Sequence, residues 1–180
     1  SPMAASATAL YRKHRKLLRL APREANTLSD GVTVIGTPQE SEKLTRSRYP
    51  CVIISASGMA TGGRVLHHLK AMAPVAKHHI VFPGFQVGGT RGAKLIEGAT
   101  EVKIFGEYVA VKAQVSHLGG FSGHADANGL MDWLRGFENA PRQTFVVHGE
   151  PAASDALRLR IADELGWSVR VPEQGAMVTV

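Results

Sequence analysis

Cysteine is almost missing. Cys51 stands alone among 180 residues, so no intrachain disulfide can form, and a reducing, cytoplasmic setting is expected. Long apolar runs are missing as well. None approaches the roughly 18 residues of a membrane-spanning helix, and the first residues lack a signal-peptide pattern. Membrane, secreted-disulfide and fibrous classes are thereby excluded. Aromatic residues make up only 6%, which leaves readout by base stacking poorly supported. No internal repeat or low-complexity linker interrupts the chain.

What is present suits a globular protein. Apolar residues at 44% and charged residues at 20% provide a core for one ample domain or two small ones. The net charge of +6 is uneven. Residues 1–75 carry 11 Lys/Arg against 4 Asp/Glu, whereas residues 76–180 carry 10 against 11. A basic half beside a neutral one points to a polyanionic partner, although mildly basic domains without one are common.

Strand and helix patterns alternate along the chain. Residues 4–20 read as a helix halted by Pro22, with Leu10, His14, Leu17 and Leu18 on one face and Arg12, Arg15, Lys16 and Arg19 on another. Residues 32–36 and Cys51–Ser55 are β-branched runs, the second typical of a strand buried on both faces. Helices are expected over 38–46, 63–72, 91–97, 126–138 and 153–165. Further strands are expected at 80–82, 143–147, 168–171 and 176–180, with a hairpin of 101–105 and 108–112 around Gly106-Glu107. Such alternation means an α/β layered fold.

Three segments carry groups able to do chemistry. The first, Ser57-Gly-Met-Ala-Thr-Gly-Gly-Arg64, leads from an apolar run into a helix. Backbone N–H groups and a helix N-terminus can cradle an anion there, and Arg64 can clamp phosphate. The loop is neither a Walker A loop nor a dinucleotide fingerprint, and a plain glycine-rich turn would look much the same. The second segment, Ser116 to Asp126, holds His117 and His124 among glycines, with Asp126 placed to cap a helix. His117 reads as an ordinary strand-end residue; His124 is the better candidate to donate a proton or to bind phosphate or metal. The third, Phe145-Val-Val-His148-Gly-Glu150, delivers an imidazole at a sheet edge. The pairs His67-His68 and His78-His79 read as structural or surface histidines, because adjacent side chains diverge.

Together these segments resemble the β-CASP branch of the metallo-β-lactamase-fold nucleases. The likeness rests on Ser1-Pro-Met-Ala, Ser57-Gly-Met with Gly62-Gly-Arg64, Gly84-Phe-Gln with Gly89-Thr90, Phe121 to Asp126, and Val147-His-Gly-Glu150, in order and in register. It implies a mostly parallel sheet flanked by helices over residues 1–118. Residues 119–180 would be the C-terminal strands and helices of a metallo-β-lactamase αββα sandwich. It further implies His124 as general acid and His148 as a zinc ligand. Ser57, Gly58 and Arg64 would grip the RNA backbone, and Asp126 and Glu150 would orient the histidines.

The family's His-x-His-x-Asp-His cluster does not occur in these residues. The resemblance therefore implies the C-terminal portion of a longer enzyme, a zinc-dependent ribonuclease with two ions when complete, whose fragment binds none and is inactive alone. Single-stranded RNA, the missing N-terminal half and a second copy of the chain are the expected partners. The alternative is a non-catalytic nucleic-acid-binding module; a small-molecule α/β enzyme ranks last, because it leaves the histidine motifs unexplained.

Overall fold

The structure, a computed structural model, describes residues 2–27, 30–47 and 49–178. The chain divides into two compact α/β units, Ser1–Ser122 and Gly123–Val180. The first contains helices α1 (Pro2–Lys13), α2 (Pro22–Thr27), α3 (Pro38–Thr45), α4 (Val65–Met72) and α5 (Arg91–Ile96). Its strands are β1 (His79–Phe82), β2 (Glu101–Ile104), β3 (Glu107–Ala110) and β4 (Gln114–His117). The second contains α6 (Ala127–Arg135), β5 (Thr144–Phe145), α7 (Pro151–Leu165) and β6 (Val169–Arg170).

In the first unit β1 and β4 pair in parallel, His79 opposite Gln114 and Phe82 opposite His117. The crossover between them carries α5 and the antiparallel β2–β3 hairpin. That hairpin turns on Phe105 and Gly106, both at positive φ (51° and 84°), one residue earlier than expected. The right-handed strand twist selects a two-residue loop with left-handed φ at both positions. Leu66 and Leu69 of α4, Ala73 beyond it, Phe82, Leu95, Val102, Ile104 and Val109 close the core. Leu95 and Ile104 are almost wholly buried, and each such side chain contributes about 2 kcal/mol by leaving water.

Local chemistry fixes the start of α3. Thr37 Oγ1 accepts from Glu40 N while the Glu40 carboxylate accepts from Gly36 N and Thr37 N, a reciprocal capping box. The N–H of Thr37, then that of Gly36, hold this carboxyl below the usual range.

Three expectations need correction. The helix placed over 4–20 ends at Lys13 and gives way to a 3-10 turn at Arg15–Leu17. Like charges spaced three or four apart from Arg12 to Arg19 oppose its extension. Leu10 and Leu17 are exposed while Leu18 is only partly so, so the apolar face assigned to that helix is largely open to solvent.

Residues 32–36 and Cys51–Ser55 are not strands. Val52 and Ile54 are 91% and 85% exposed, and Val32 and Val34 are also open to solvent. A β-branched run favours extended backbone, but a strand also needs a hydrogen-bonded neighbour. Among the described residues neither segment has one. The expected strand at 176–180 ends outside the described residues, and 176–178 form no strand.

In the second unit Met131, Leu134, Val146 and Ile161 form the core, supported by Leu157, Leu165, Trp167 and Val169. Leu157, Ile161 and Leu165 recur every four residues along one face of α7, as an amphipathic helix requires. Gly166, at φ 66°, ends that helix in the left-handed conformation. β5 and β6 pair in parallel. The strand expected over 143–147 shortens to two residues, yet Val146 N still donates to Arg170 O at 2.9 Å.

Candidate nucleic-acid interface

The segment from Ser57 to Arg64 is a tightly bonded loop ahead of α4. Ser57 and Ala60 are both left-handed, at φ 68° and 53°, a conformation that costs a non-glycine residue about 1 kcal/mol. The bend brings the N–H groups of Thr61 and Gly62 onto Ser57 Oγ, each at 3.2 Å, with Thr61 Oγ1 at 3.3 Å. Ala60 N donates to Ser57 O at 2.8 Å. Two backbone donors and a hydroxyl thus converge on one oxygen, the donor geometry that suits an oxyanion. Gly58 lies exposed at the tip.

Arg64 is half-buried rather than free in solvent. Its Nη1 donates to Ile35 O at 3.1 Å and to Thr37 O at 3.4 Å. One nitrogen of the fork therefore anchors the guanidinium while the charge stays at the mouth of α4. Below it, His68 is buried, with Nε2 3.1 Å from Ser41 Oγ and Nδ1 2.7 Å from Thr45 Oγ1. Burial, and then the charges of His67 and Arg64, hold this imidazole below the usual histidine range.

Two residues that hold the loop carried no role in the sequence. Gln86, within the quoted Gly84-Phe-Gln motif, is buried and donates from Nε2 to Gly58 O at 3.0 Å. Arg91 donates from Nη1 to Ala60 O and from Nε to Lys103 O. The Gly84-Phe-Gln motif was a signal for Gln86. Nothing local marks Arg91, whose loop partner lies 31 residues away.

The histidines lie in the second unit or at the end of the first. His117 ends β4 and contacts Gly84 O from Nε2 at 3.1 Å, as befits a strand-end residue. His124 is exposed on the turn entering α6. Asp126 caps that helix, Oδ1 accepting from Gly129 N at 2.8 Å, so one of its oxygens is committed to the helix. His148 is exposed with φ 69°, and Glu150 occupies the N-cap of α7 without a side-chain cap bond. A Cβ on Gly149 would fall 2.3 Å from Ser154 Oγ. A side chain at 149, beside the turn that displays His148, would therefore displace the buried Ser154 hydroxyl.

Three of the four paired histidines, His67, His68 and His79, make contacts within the fold. His67 packs its ring 4.7 Å from that of Phe105, and His79 Nε2 lies 2.8 Å from Ser116 Oγ. Among the described residues no three His, Cys, Asp or Glu side chains gather in a group able to hold a metal ion. Zinc in a hydrolytic site takes about three protein ligands, so the residues present do not make such a site.

Residues 1–95 match the family model described as the Beta-Casp domain, which spans more than half of the chain. The chain belongs to the β-CASP family. Residues 108–172 match a second model, the Zn-dependent metallo-hydrolase RNA specificity domain. Among curated relatives, Ribonuclease TTHA0252 of Thermus thermophilus is 43% identical over 120 residues, covering 67% of this chain and 27% of the relative. Transcription termination factor FttA of Methanocaldococcus jannaschii is 37% identical over 128 residues, covering 68% and 20% respectively. An RNase J-like protein of the same archaeon is 30% identical over 175 residues, covering 97% and 40%.

This β-CASP chain therefore spans less than half the length of these relatives. Two of them are named as ribonucleases. Within the β-CASP match lie the 57–64 loop and both residues that hold it; His117, His124 and His148 lie within the second match.

Proposed function

We propose that this chain is the RNA-gripping part of an RNA-processing phosphodiesterase, with single-stranded RNA as its polyanion. The observation that carries this reading is the convergence of the Thr61 and Gly62 N–H groups on one oxygen, with Arg64 anchored at the next helix start. A phosphate oxygen can compete with Ser57 Oγ for those donors, and Arg64 adds a charge-assisted bond. The family description, with its reference to RNA specificity, supports RNA as the ligand.

In this reading Ser57, Gly58 and Arg64 hold the sugar-phosphate backbone. His124, exposed on its glycine-flanked turn, protonates the leaving oxygen. Asp126 and Glu150 stand beside the histidines and set their orientation. His148 is the one zinc donor that this chain contributes. The 180 residues alone bind RNA without turning it over, in a cytoplasmic setting.

The test is binding of a labelled oligouridine to this chain across a salt titration, with Arg64→Ala alongside. The account predicts an affinity that falls steeply with salt, and a slope reduced by about one in the variant. Salt-independent binding, or an Arg64→Ala variant equal to the parent, would overturn the phosphate role of the loop.

A further inference from the structure

Three consecutive carbonyls of the 57–64 loop are held by one neighbouring segment. Gly58 O accepts from Gln86 Nε2 at 3.0 Å, Met59 O from Gly92 N at 2.9 Å, and Ala60 O from Arg91 Nη1. In a trans peptide the N–H of the following residue points opposite to the carbonyl. Fixing the carbonyls of 58, 59 and 60 therefore turns the N–H groups of 59, 60 and 61 the other way. The Ala60 and Thr61 N–H groups duly meet Ser57, the first at its carbonyl and the second at its hydroxyl.

Gln86 is built for this task rather than for filling space. It is only 8% exposed, and its Nε2 also lies within reach of Gly84 O and Phe85 O. Its Oε1 is buried without a partner. An unpaired buried amide oxygen is costly, and Met or Leu would fill the same space without that cost. Gly92 accommodates the amide, since a Cβ there would fall 1.7 Å from Gln86 Oε1. Arg91 links the loop to the hairpin through Nε and Lys103 O at 2.8 Å. It also places a second cation behind the loop.

We propose that Gln86 and Arg91 are positioning residues for RNA, aligning the N–H groups of the 57–64 loop and Arg64 on one phosphate. This rests on the reading of that loop as the phosphate contact. Neither residue touches the ligand; both act through the loop.

The test is a double-mutant cycle read by binding of labelled oligouridine to the 180-residue chain, with fold monitored by circular dichroism. Gln86→Met keeps the length and apolar bulk but removes the amide. Arg91→Lys keeps the charge but replaces the two fixed nitrogens that serve Ala60 O and Lys103 O with a single one. Each is expected to weaken binding by about tenfold, the size of one charge-assisted contact. Arg91→Lys is also expected to lower the salt slope by about one despite its unchanged charge.

With Arg64 already replaced by Ala, Gln86→Met is expected to cost clearly less than it does in the parent, because only the loop N–H groups are left to misalign. A variant that merely loosened the fold would leave the salt slope of its folded fraction unchanged. If Arg64→Ala weakens binding but Gln86→Met and Arg91→Lys do not, or if the losses simply add, the positioning role is overturned and the loop reading stands. If Arg64→Ala changes nothing, or the parent chain does not bind at low salt, the loop reading falls and takes this inference with it.

Discussion

His148 shows how a side chain's role and its backbone can pull apart. Its left-handed φ of 69° costs about 1 kcal/mol for any residue but glycine, and strain of this kind gathers where a side chain must be displayed. Denaturant unfolding is expected to show His148→Gly more stable than the parent by about 1 kcal/mol, while His148→Ala gains nothing. A destabilised glycine variant would mean that the imidazole itself holds the turn.

The buried pair Gln86 and Gly92 predicts the opposite sign. Gly92→Ala forces the amide to move and is expected to lower unfolding free energy by about 1–3 kcal/mol. His68 makes the pH prediction. Its folded pKa is depressed by burial first, so the unfolded chain takes up the proton before the folded one does. The stability conferred by neutral His68 is complete above about pH 6.5 and is lost progressively as pH falls from there towards the lower folded pKa. Melting between about pH 7.5 and 5.5 should show a falling midpoint that flattens in His68→Gln.

At the scale of elements, what was legible in the sequence was what is local. Asp126 reads as a helix cap because capping needs only three residues of context, and its carboxylate does accept from Gly129 N. Asp126→Ala is expected to cost about 1 kcal/mol, measured by thermal or chemical unfolding. The same locality made the start of α3 legible from Pro38 and that of α5 from the turn Gly88-Gly89-Thr90. Strand pairing is not local, and there the sequence misleads.

Cys51–Ser55 has the composition of a buried strand, but no partner strand lies beside it among the described residues. With Val52 and Ile54 this exposed, the double substitution Val52→Thr, Ile54→Thr should change stability by less than about 0.5 kcal/mol. A loss of several times that would show the run to be packed. The loop's supports were hidden for the same reason, since Arg91 and Ala60 meet only in the folded chain.

For the whole molecule, the motifs in register identify the family and the order of its parts, and the family models match both stretches. Net charge gives the broadest clue, a surplus of cations in the first 75 residues, and the proposed function assigns the polyanion to the glycine-rich loop with its anchored arginine. The basic stripe at Arg12, Arg15, Lys16 and Arg19 is the competing surface, since a polyanion feels any exposed cation.

Amide chemical-shift mapping of the chain with and without a short oligouridine separates the two most directly. The account predicts the largest changes at Thr61 and Gly62, shifts over 57–64, and their loss in Arg64→Ala. Changes confined to residues 10–20, with the loop unmoved, would contradict it.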